Sequence, residues 1–139
     1  MSEHAEPWSG PLPDVDPVSA PYWAAAAEGR LIVQECPACG HRQHYPRAIC
    51  TNCAATPEWL DTGGRGTVHT YTIVRQYNMP PFSTMTPYVV AMVDLPEGPR
   101  VLGHVTGCDP EEVRIGMEVE MYSVPAGDGV GIPMWRRAG

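Results

Sequence analysis

The sequence predicts a mainly β protein in which a short N-terminal helix is followed by a metal-binding ribbon and a five-stranded barrel. Three observations predict this order. An alanine-rich segment lies between a proline and a glycine, two Cys-x-x-Cys motifs follow it, and β-rich segments then alternate with Gly- and Pro-containing turns. We therefore divide the chain into an arm at 1–18, a helix at 19–29, a ribbon at 30–62 and a barrel at 63–139.

The N-terminal arm has a composition that does not form a packed core. Residues 1–21 contain five prolines and four acidic residues but no arginine or lysine. Such a segment is expected to be extended or disordered. Trp8 is its largest apolar side chain. The sequence leaves two roles open for it: part of a disordered tail, or an anchor through which the arm contacts a partner.

Residues 19–28 are expected to form a short helix, because a proline lies in the first turn and Gly29 follows the last. Tyr22 and Trp23 would share one face with two alanines. A helix of this length is marginal by itself and needs a surface to pack on. That surface is either the chain's own ribbon or another subunit, and in the second case both aromatics are candidate interface residues.

Four cysteines form two Cys-x-x-Cys pairs separated by ten residues: Cys36, Cys39, Cys50 and Cys53. This spacing lets two tight turns present four thiolates to one tetrahedral zinc ion. Four protein ligands leave no open coordination position, so the predicted zinc is structural. Two disulfides are the alternative, and they require an oxidising compartment. The first thirty residues do not read as a signal peptide, and we expect a cytoplasmic location.

The residues around the cysteines predict details of the ribbon. Gly40 follows the first pair, where the chain must turn back, and Ala54 takes the corresponding place after the second pair. Polar side chains between the two pairs are expected to donate hydrogen bonds to sulfur and offset its charge: His41, Arg42, His44 and Arg47. The fifth cysteine, Cys108, is expected to be a small buried side chain.

Beyond residue 63, five strands are expected, at 67–76, 88–94, 100–106, 118–123 and 130–135. A single helical turn is expected at 109–113, where Asp109 can cap and Pro110 can begin it. Five strands with a short helix between the third and fourth are typical of the oligonucleotide/oligosaccharide-binding (OB) fold. The loop at 77–86 is apolar and contains Phe82. It would cover the barrel itself, an acyl chain or a partner's surface.

Charge and composition exclude several function classes. The formal net charge is −7, and all nine basic residues are arginines. Without lysine, neither Schiff-base catalysis nor a P-loop is possible. The acidic chain does not favour nucleic acid, since phosphate neutralisation supplies most nonspecific affinity. A single-stranded nucleic-acid-binding module remains the alternative, because OB barrels and zinc ribbons both serve that role. No apolar run is long enough for a membrane span.

Four sequence segments resemble the DUF35 family of acyl-CoA-associated zinc-ribbon and OB-fold proteins. They are CPACG at 36–40, GRGTV at 64–68, PYVVA at 87–91 and GCDPEEVRIGM at 107–117, and the resemblance covers about residues 19–137. It implies a small accessory subunit that binds a thiolase-like enzyme of the sterol-carrier-protein type, with the catalytic residues in the partner. Such assemblies form carbon–carbon bonds or cleave them, as in retro-aldol removal of steroid side chains.

This resemblance makes coenzyme A or its thioester a candidate ligand and a hetero-oligomer the expected assembly. Guanidinium groups match phosphate oxygens well, so the candidate CoA-binding residues are Arg65, Arg75, Arg100, Arg136 and Arg137. The candidate partner contacts are Trp8, Tyr22, Trp23 and Phe82. A third hypothesis is a hydrolase or lyase that acts alone. The only candidate catalytic residues for it are scattered histidines, acids and Cys108, and they form no recognisable triad.

Overall fold

The computed structural model describes residues 7–139, so the first six residues of the predicted arm lie outside the described part. The helix is α1 (Ala20–Ala27). The strands are β1 (Ile32–Glu35), β2 (Arg42–Gln43), β3 (Glu58–Asp61), β4 (Arg65–Val74), β5 (Tyr88–Asp94), β6 (Arg100–Thr106), β7 (Glu118–Pro125) and β8 (Gly131–Arg137). In the part of the chain described, no helix is long and apolar enough to cross a membrane.

The ribbon is a small antiparallel sheet in the order β2-β1-β3. Its central strand, β1, pairs with β3 so that Val33 lies opposite Leu60, and with β2 so that Gln34 lies opposite Gln43. The residues at 31–33 are almost fully buried. The ribbon therefore packs against the rest of the molecule through β1 and leaves its cysteine end at the surface.

The barrel closes in the order β4-β5-β6-β8-β7, with β7 returning to β4. All neighbouring strands are antiparallel except β6 and β8, which run parallel. A one-turn 3-10 helix at Pro110–Glu112 joins β6 to β7, and Asp109 caps it. This is the strand order of an OB fold with its helix between the third and fourth strands. The predicted fold class is confirmed.

The barrel core follows the period-two alternation of β strands. In β5, Val89, Ala91 and Val93 are buried, and the residues between them are partly exposed. Trp135 of β8 fills the interior with 1% of its surface exposed. The other buried residues of the barrel core are apolar, and most of them are valines.

The helix α1 packs on its own barrel and ribbon, against β8, β7 and β1. Gly131 permits this close approach, because a Cβ there would lie 2.6 Å from the backbone nitrogen of Ala27. The Tyr22 side chain is only 6% exposed, and its ring meets that of Trp23 edge-on at 4.9 Å. This corrects the expectation that both aromatics of α1 face a partner: Tyr22 is a packing residue of this chain, and Trp23 is only partly buried.

The described part of the arm, residues 7–18, is irregular and also folds back on the barrel. The Trp8 backbone amide donates to the Pro125 carbonyl at 2.8 Å, and its indole Nε1 donates to the Pro11 carbonyl at 2.7 Å. The ring then lies over Gly10, where a Cβ would come within 2.5 Å of it. Trp8 is therefore held against its own chain with part of its ring accessible.

Candidate functional sites

The four predicted ligand cysteines come together at the end of the ribbon. Their Sγ atoms all lie within 4.8 Å of one another, and the distances are 3.4 Å for Cys36 to Cys53 and 3.7 Å for Cys39 to Cys50. Four sulfurs at about 2.3 Å from a tetrahedral zinc ion lie about 3.8 Å apart. The cluster fits such an ion with all four positions taken by protein.

The two knuckles that carry these cysteines have matching backbone geometry. The amide of Gly40 donates to the Cys36 carbonyl at 2.8 Å, and the amide of Ala54 donates to the Cys50 carbonyl at 2.9 Å. Both residues have a left-handed φ, 78° for Gly40 and 69° for Ala54. Glycine adopts this conformation freely, whereas the Cβ of alanine makes it unfavourable. The second knuckle keeps the required turn with a strained residue.

The side chain that donates to sulfur is Asn52, between the cysteines of the second knuckle. Its amide Nδ2 donates to Cys39 Sγ at 3.4 Å, and its backbone nitrogen donates to Cys50 Sγ at 3.3 Å. The side-chain hydrogen bond lowers the pKa of Cys39 to about 6, which favours the thiolate that binds zinc. The prediction that the four basic side chains between the knuckles do this is wrong.

Three of those four side chains, His41, Arg42 and His44, instead make contacts that support the ribbon. His41 contacts the Thr51 hydroxyl at 3.0 Å, and Arg42 bridges Glu35 to the Glu97 carbonyl. His44 is largely buried, and its burial lowers its pKa to about 4. Its ring packs between those of Tyr22 and Tyr45, at centroid distances of 5.3 and 4.4 Å.

A second candidate site is an apolar surface where the arm meets the loop at 77–86. The Phe82 ring lies 5.9 Å from that of Trp8, 5.5 Å from Tyr77 and 6.0 Å from Tyr88. Two predicted partner contacts, Trp8 and Phe82, thus meet. Large apolar side chains remain exposed around them: Met79 by 64%, Tyr77 by 46% and Met85 by 37%. We call this surface, formed by Trp8, Tyr77, Met79, Phe82 and Met85, the arm–loop face.

Beside this face, an open cavity of about 390 Å³ lies on the outer wall of the barrel. His104, Tyr122 and Met134 line it together with Trp8. Burial lowers the pKa of His104, so this ring is neutral near pH 7. The Tyr122 hydroxyl and that of Thr106 share a hydrogen bond of 2.6 Å. The cavity is mostly apolar and has a few polar groups in its wall.

The five arginines predicted to bind coenzyme A do not form one cluster of free positive charge. Each pairs with a carboxylate: Arg75 with Glu111, Arg100 with Asp94, Arg137 with Glu112, and Arg65 and Arg136 with Glu120. Arg65 and Arg136 share a single acid, Glu120. Of these five arginines, they are therefore the two with one carboxylate between them and one positive charge in excess. Arg136 also lies over the Tyr122 ring, at 5.2 Å from its centroid.

Family models match both domains of this architecture. Residues 23–58 match the rubredoxin-like zinc ribbon domain of ChsH2, and residues 59–124 match the C-terminal OB-fold domain of ChsH2. A scaffold protein of Pyrococcus furiosus that contains a DUF35 domain is 43% identical over 106 residues, which cover 73% of this chain and 75% of that protein. The chain belongs to the DUF35 family. Its cysteine cluster is accordingly a structural zinc site.

Two further proteins similar to this DUF35 chain are named for enzymes, one as a hydratase subunit and one as an aldolase. A probable enoyl-CoA hydratase alpha subunit of Thermomonospora curvata is 32% identical over 130 residues, which cover 92% of this chain but only 40% of that protein. The chain therefore spans well under half of this relative. A solved structure described as the Ltp2-ChsH2(DUF35) aldolase has a TM-score of 0.82 and 31% identity, covering 92% of this chain and all of the matched chain.

Sequence reasoning missed two glutamines that hold the loop between the zinc knuckles of the DUF35 ribbon. Gln34 and Gln43 are 4% and 8% exposed, and Gln43 Nε2 donates to Gln34 Oε1 at 2.7 Å. Gln34 then binds both the amide and the carbonyl of Arg47, and Gln43 Oε1 accepts from the Thr51 amide. The only sequence signal is that these two uncharged polar residues lie two residues before Cys36 and four residues after Cys39.

Proposed function

We propose that this DUF35 protein is a non-catalytic accessory subunit of a thiolase-like acyl-CoA enzyme of the sterol-carrier-protein type. The observation that carries the proposal is the match, at 31% identity over 92% of this chain, to a chain of the structure described as the Ltp2-ChsH2(DUF35) aldolase. The scaffold name of the Pyrococcus furiosus relative and the acyl-CoA name of the Thermomonospora curvata relative agree with it. The zinc supports the ribbon and takes no part in chemistry.

The arrangement of titratable groups supports a non-catalytic role. In residues 7–139, the one hydrogen bond between a histidine and a hydroxyl joins His41 Nε2 to Thr51 Oγ1. The Thr51 hydroxyl donates to Gln43 Oε1 at 3.1 Å, so His41 is the donor to Thr51 and does not accept its proton. A nucleophile needs a neighbouring base that accepts its proton. This pair therefore acts in structure, and catalysis is assigned to the partner.

We assign partner docking to the arm–loop face. Its exposed methionines and aromatic rings are residue types that are favoured in the core of protein interfaces. The side chains are also fixed, since Trp8 is bonded at its backbone and Phe82 packs on the barrel through Tyr88. Fixed aromatic rings lose little conformational entropy on binding. Trp23, Trp8 and Phe82 remain interface candidates, and Tyr22 is replaced in that role by Tyr77 and Met79.

If acyl-CoA contacts this subunit, we place the contact where Arg65 and Arg136 share Glu120. This pair has one positive charge in excess, and Arg136 adjoins Tyr122 in the wall of the apolar cavity. A phosphate of the ligand would bind the guanidinium groups, and an apolar part would lie in the cavity. The subunit would then orient the thioester while the partner forms or cleaves the carbon–carbon bond, in steroid side-chain degradation as the family resemblance implies.

The test is complex formation with Ltp2, the other component named with the solved relative. The zinc-loaded chain and Ltp2 are mixed, and association is followed by size-exclusion chromatography with light scattering. A Trp8→Ser/Phe82→Ser variant is expected to lose about 1,000-fold in affinity, because two interface aromatics contribute about 2 kcal/mol each when truncated, or about 4 kcal/mol together. Ile115→Ser is the control, since Ile115 is 70% exposed but lies outside the arm–loop face. No association of the wild-type chain with a thiolase-like enzyme would refute the proposal.

A further inference from the structure

A third surface feature is an open cavity of about 530 Å³ between the arm, α1 and the turn at 45–47 of the ribbon. Trp8 lines both this cavity and the one that His104 lines. Three separate segments of the chain form the wall of this cavity, and each is held in place by its own hydrogen bonds or packing contacts. The arm is fixed by the Trp8 amide, the helix by its packing on β8, and the turn by Gln34. The cavity is therefore preformed.

The aromatic residues that line the cavity are Trp8, Trp23 and Tyr45, together with the nearly buried Tyr22. Tyr22 and Trp23 meet edge-on, and Tyr45 is 58% exposed. The faces of such rings carry negative electrostatic potential, which attracts cations within about 6 Å of the ring centre. An apolar molecule would fit an aromatic wall equally well, so the charges at the rim decide between the two.

Two carboxylates line the same cavity, Asp14 and Asp16. Neither lies within salt-bridge distance of a basic group in residues 7–139, whereas seven of the nine arginines in that range pair with acids: Arg30, Arg42, Arg65, Arg75, Arg100, Arg136 and Arg137. The Ser19 backbone amide donates to Asp16 Oδ1 at 2.7 Å, which lowers the pKa of Asp16 and keeps it ionised. With Arg47 as the third charged residue of the lining, the cavity carries a net charge of −1, and the chain as a whole is also negative at −7.

We propose that this cavity receives an arginine side chain from the surface of the partner enzyme. This inference rests on the proposed function, and it specifies the chemistry of one contact between this subunit and the partner enzyme. A guanidinium group is planar, so it stacks on Trp and Tyr rings, and it carries donors in a fork that fits a carboxylate. The cavity offers both features together. Its shared wall residue, Trp8, makes it continuous with the arm–loop face.

Substitution of Arg47 should change the affinity for a cation in the direction opposite to substitution of Asp14. Its side chain lines the same cavity, and its backbone is held independently by Gln34. A positive charge at this position opposes a cationic guest. Replacing Arg47 with glutamine should strengthen binding, whereas replacing Asp14 with asparagine should weaken it. An apolar guest would respond to neither change, and an anionic guest would respond in the reverse sense.

The first experiment uses N-acetyl-arginine amide as the probe and N-acetyl-citrulline amide, its uncharged analogue, as the control. The four tryptophan indole N–H signals of the ¹⁵N-labelled, zinc-loaded full chain are followed by NMR during titration. We expect saturable shifts at Trp8 and Trp23 with arginine and none with citrulline. Asp14→Asn should weaken binding about 2- to 5-fold, and Arg47→Gln should tighten it by a similar factor, as for exposed charge pairs.

Glu58→Gln is the charge-matched control, because Glu58 is an exposed acid that does not line the cavity. It changes the net charge as Asp14→Asn does, so it should leave the affinity unchanged. Equal shifts with citrulline, or the same response to Glu58→Gln as to Asp14→Asn, would overturn the cationic site. So would tighter binding of the arginine probe by Asp14→Asn, because removing a carboxylate should weaken a contact with a cation.

The second experiment measures the affinity of the same variants for Ltp2. We expect the same order, with Arg47→Gln tightest, wild type and Glu58→Gln equal, and Asp14→Asn weakest. If the arginine probe binds but these variants bind Ltp2 equally, the partner's arginine is excluded as the occupant. If wild-type chain and Ltp2 do not associate at all, the proposed function fails, and the NMR result still decides whether the cationic site exists.

Discussion

Single substitutions of the turn residues in the two zinc knuckles, Ala54→Gly and Gly40→Ala, should change zinc affinity in opposite directions. Ala54 has a φ of 69° and Gly40 a φ of 78°, so both lie in the left-handed region. A residue with a Cβ costs about 1 to 2 kcal/mol there. Glycine in turn costs about 0.4 to 1 kcal/mol, because its unfolded chain has more freedom to lose. The net expectation is that Ala54→Gly stabilises the holo ribbon by about 0.5 to 1 kcal/mol.

Gly40→Ala is the matched reverse change and should destabilise the ribbon by a similar amount. A Cβ at Gly40 would meet nothing within 4 Å, so its cost is purely conformational. In a ribbon that depends on its metal, folding free energy appears as metal-binding free energy. The apparent zinc dissociation constant should therefore fall about 2- to 5-fold for Ala54→Gly and rise by the same factor for Gly40→Ala.

The assay is competition for zinc between the chain and a chromophoric chelator at pH 7.5. The double variant Ala54→Gly/Gly40→Ala should return close to wild type, because the two turns act separately. Weaker zinc binding by Ala54→Gly, or an unchanged constant for Gly40→Ala, would refute the reasoning that the left-handed turn at each knuckle contributes to the stability of the zinc site.

Three further predictions concern the ribbon and its contact with the helix. The pKa of His44 is about 4 in the folded chain and 6.5 in the unfolded chain. The free energy of unfolding should therefore be highest above pH 6.5 and fall by about 3 kcal/mol as the pH drops to 4. Denaturant titrations at the two pH values should show this loss, and the loss should be smaller in His44→Phe. Tyr22→Ala should destabilise the chain by about 3 to 5 kcal/mol in urea unfolding, whereas Tyr22→Phe, which keeps the ring, should cost less than about 1.5 kcal/mol. Cys39→Ala should abolish stoichiometric zinc in metal analysis, while retention of one zinc per chain would contradict its assignment as a ligand.

The sequence was sufficient for elements whose signals are local. The bounds of β5 and β6 agree with the predicted 88–94 and 100–106, since turn residues delimit both strands. The zinc ligands follow from spacing alone, because the knuckle is a local structure. The two-residue strand β2 was missed, since its place depends on a hydrogen bond between side chains nine residues apart, Gln43 to Gln34.

Features that depend on contacts distant in sequence could not be predicted. Arg65 meets Glu120 across the closing strands of the barrel, so its pairing is invisible in the sequence. The sequence of α1 predicted an apolar face but not the surface that covers it. Nothing in the sequence around Gly131 indicated that α1 packs against this glycine. The sequence left the role of Trp8 open between a disordered tail and an anchor on a partner, and in the structure its ring lies 5.9 Å from that of this chain's own Phe82.

The central claim, that this DUF35 chain works as a subunit of an acyl-CoA enzyme, is tested most directly by native purification. The chain is tagged at its C-terminus in the source cells, and the proteins that co-purify are identified and quantified by mass spectrometry. The account predicts a thiolase-like enzyme at near-equal abundance, with acyl-CoA turnover by the complex and none by the chain alone. Turnover by the purified chain without a partner, or recovery of nucleic acid alone, would contradict it.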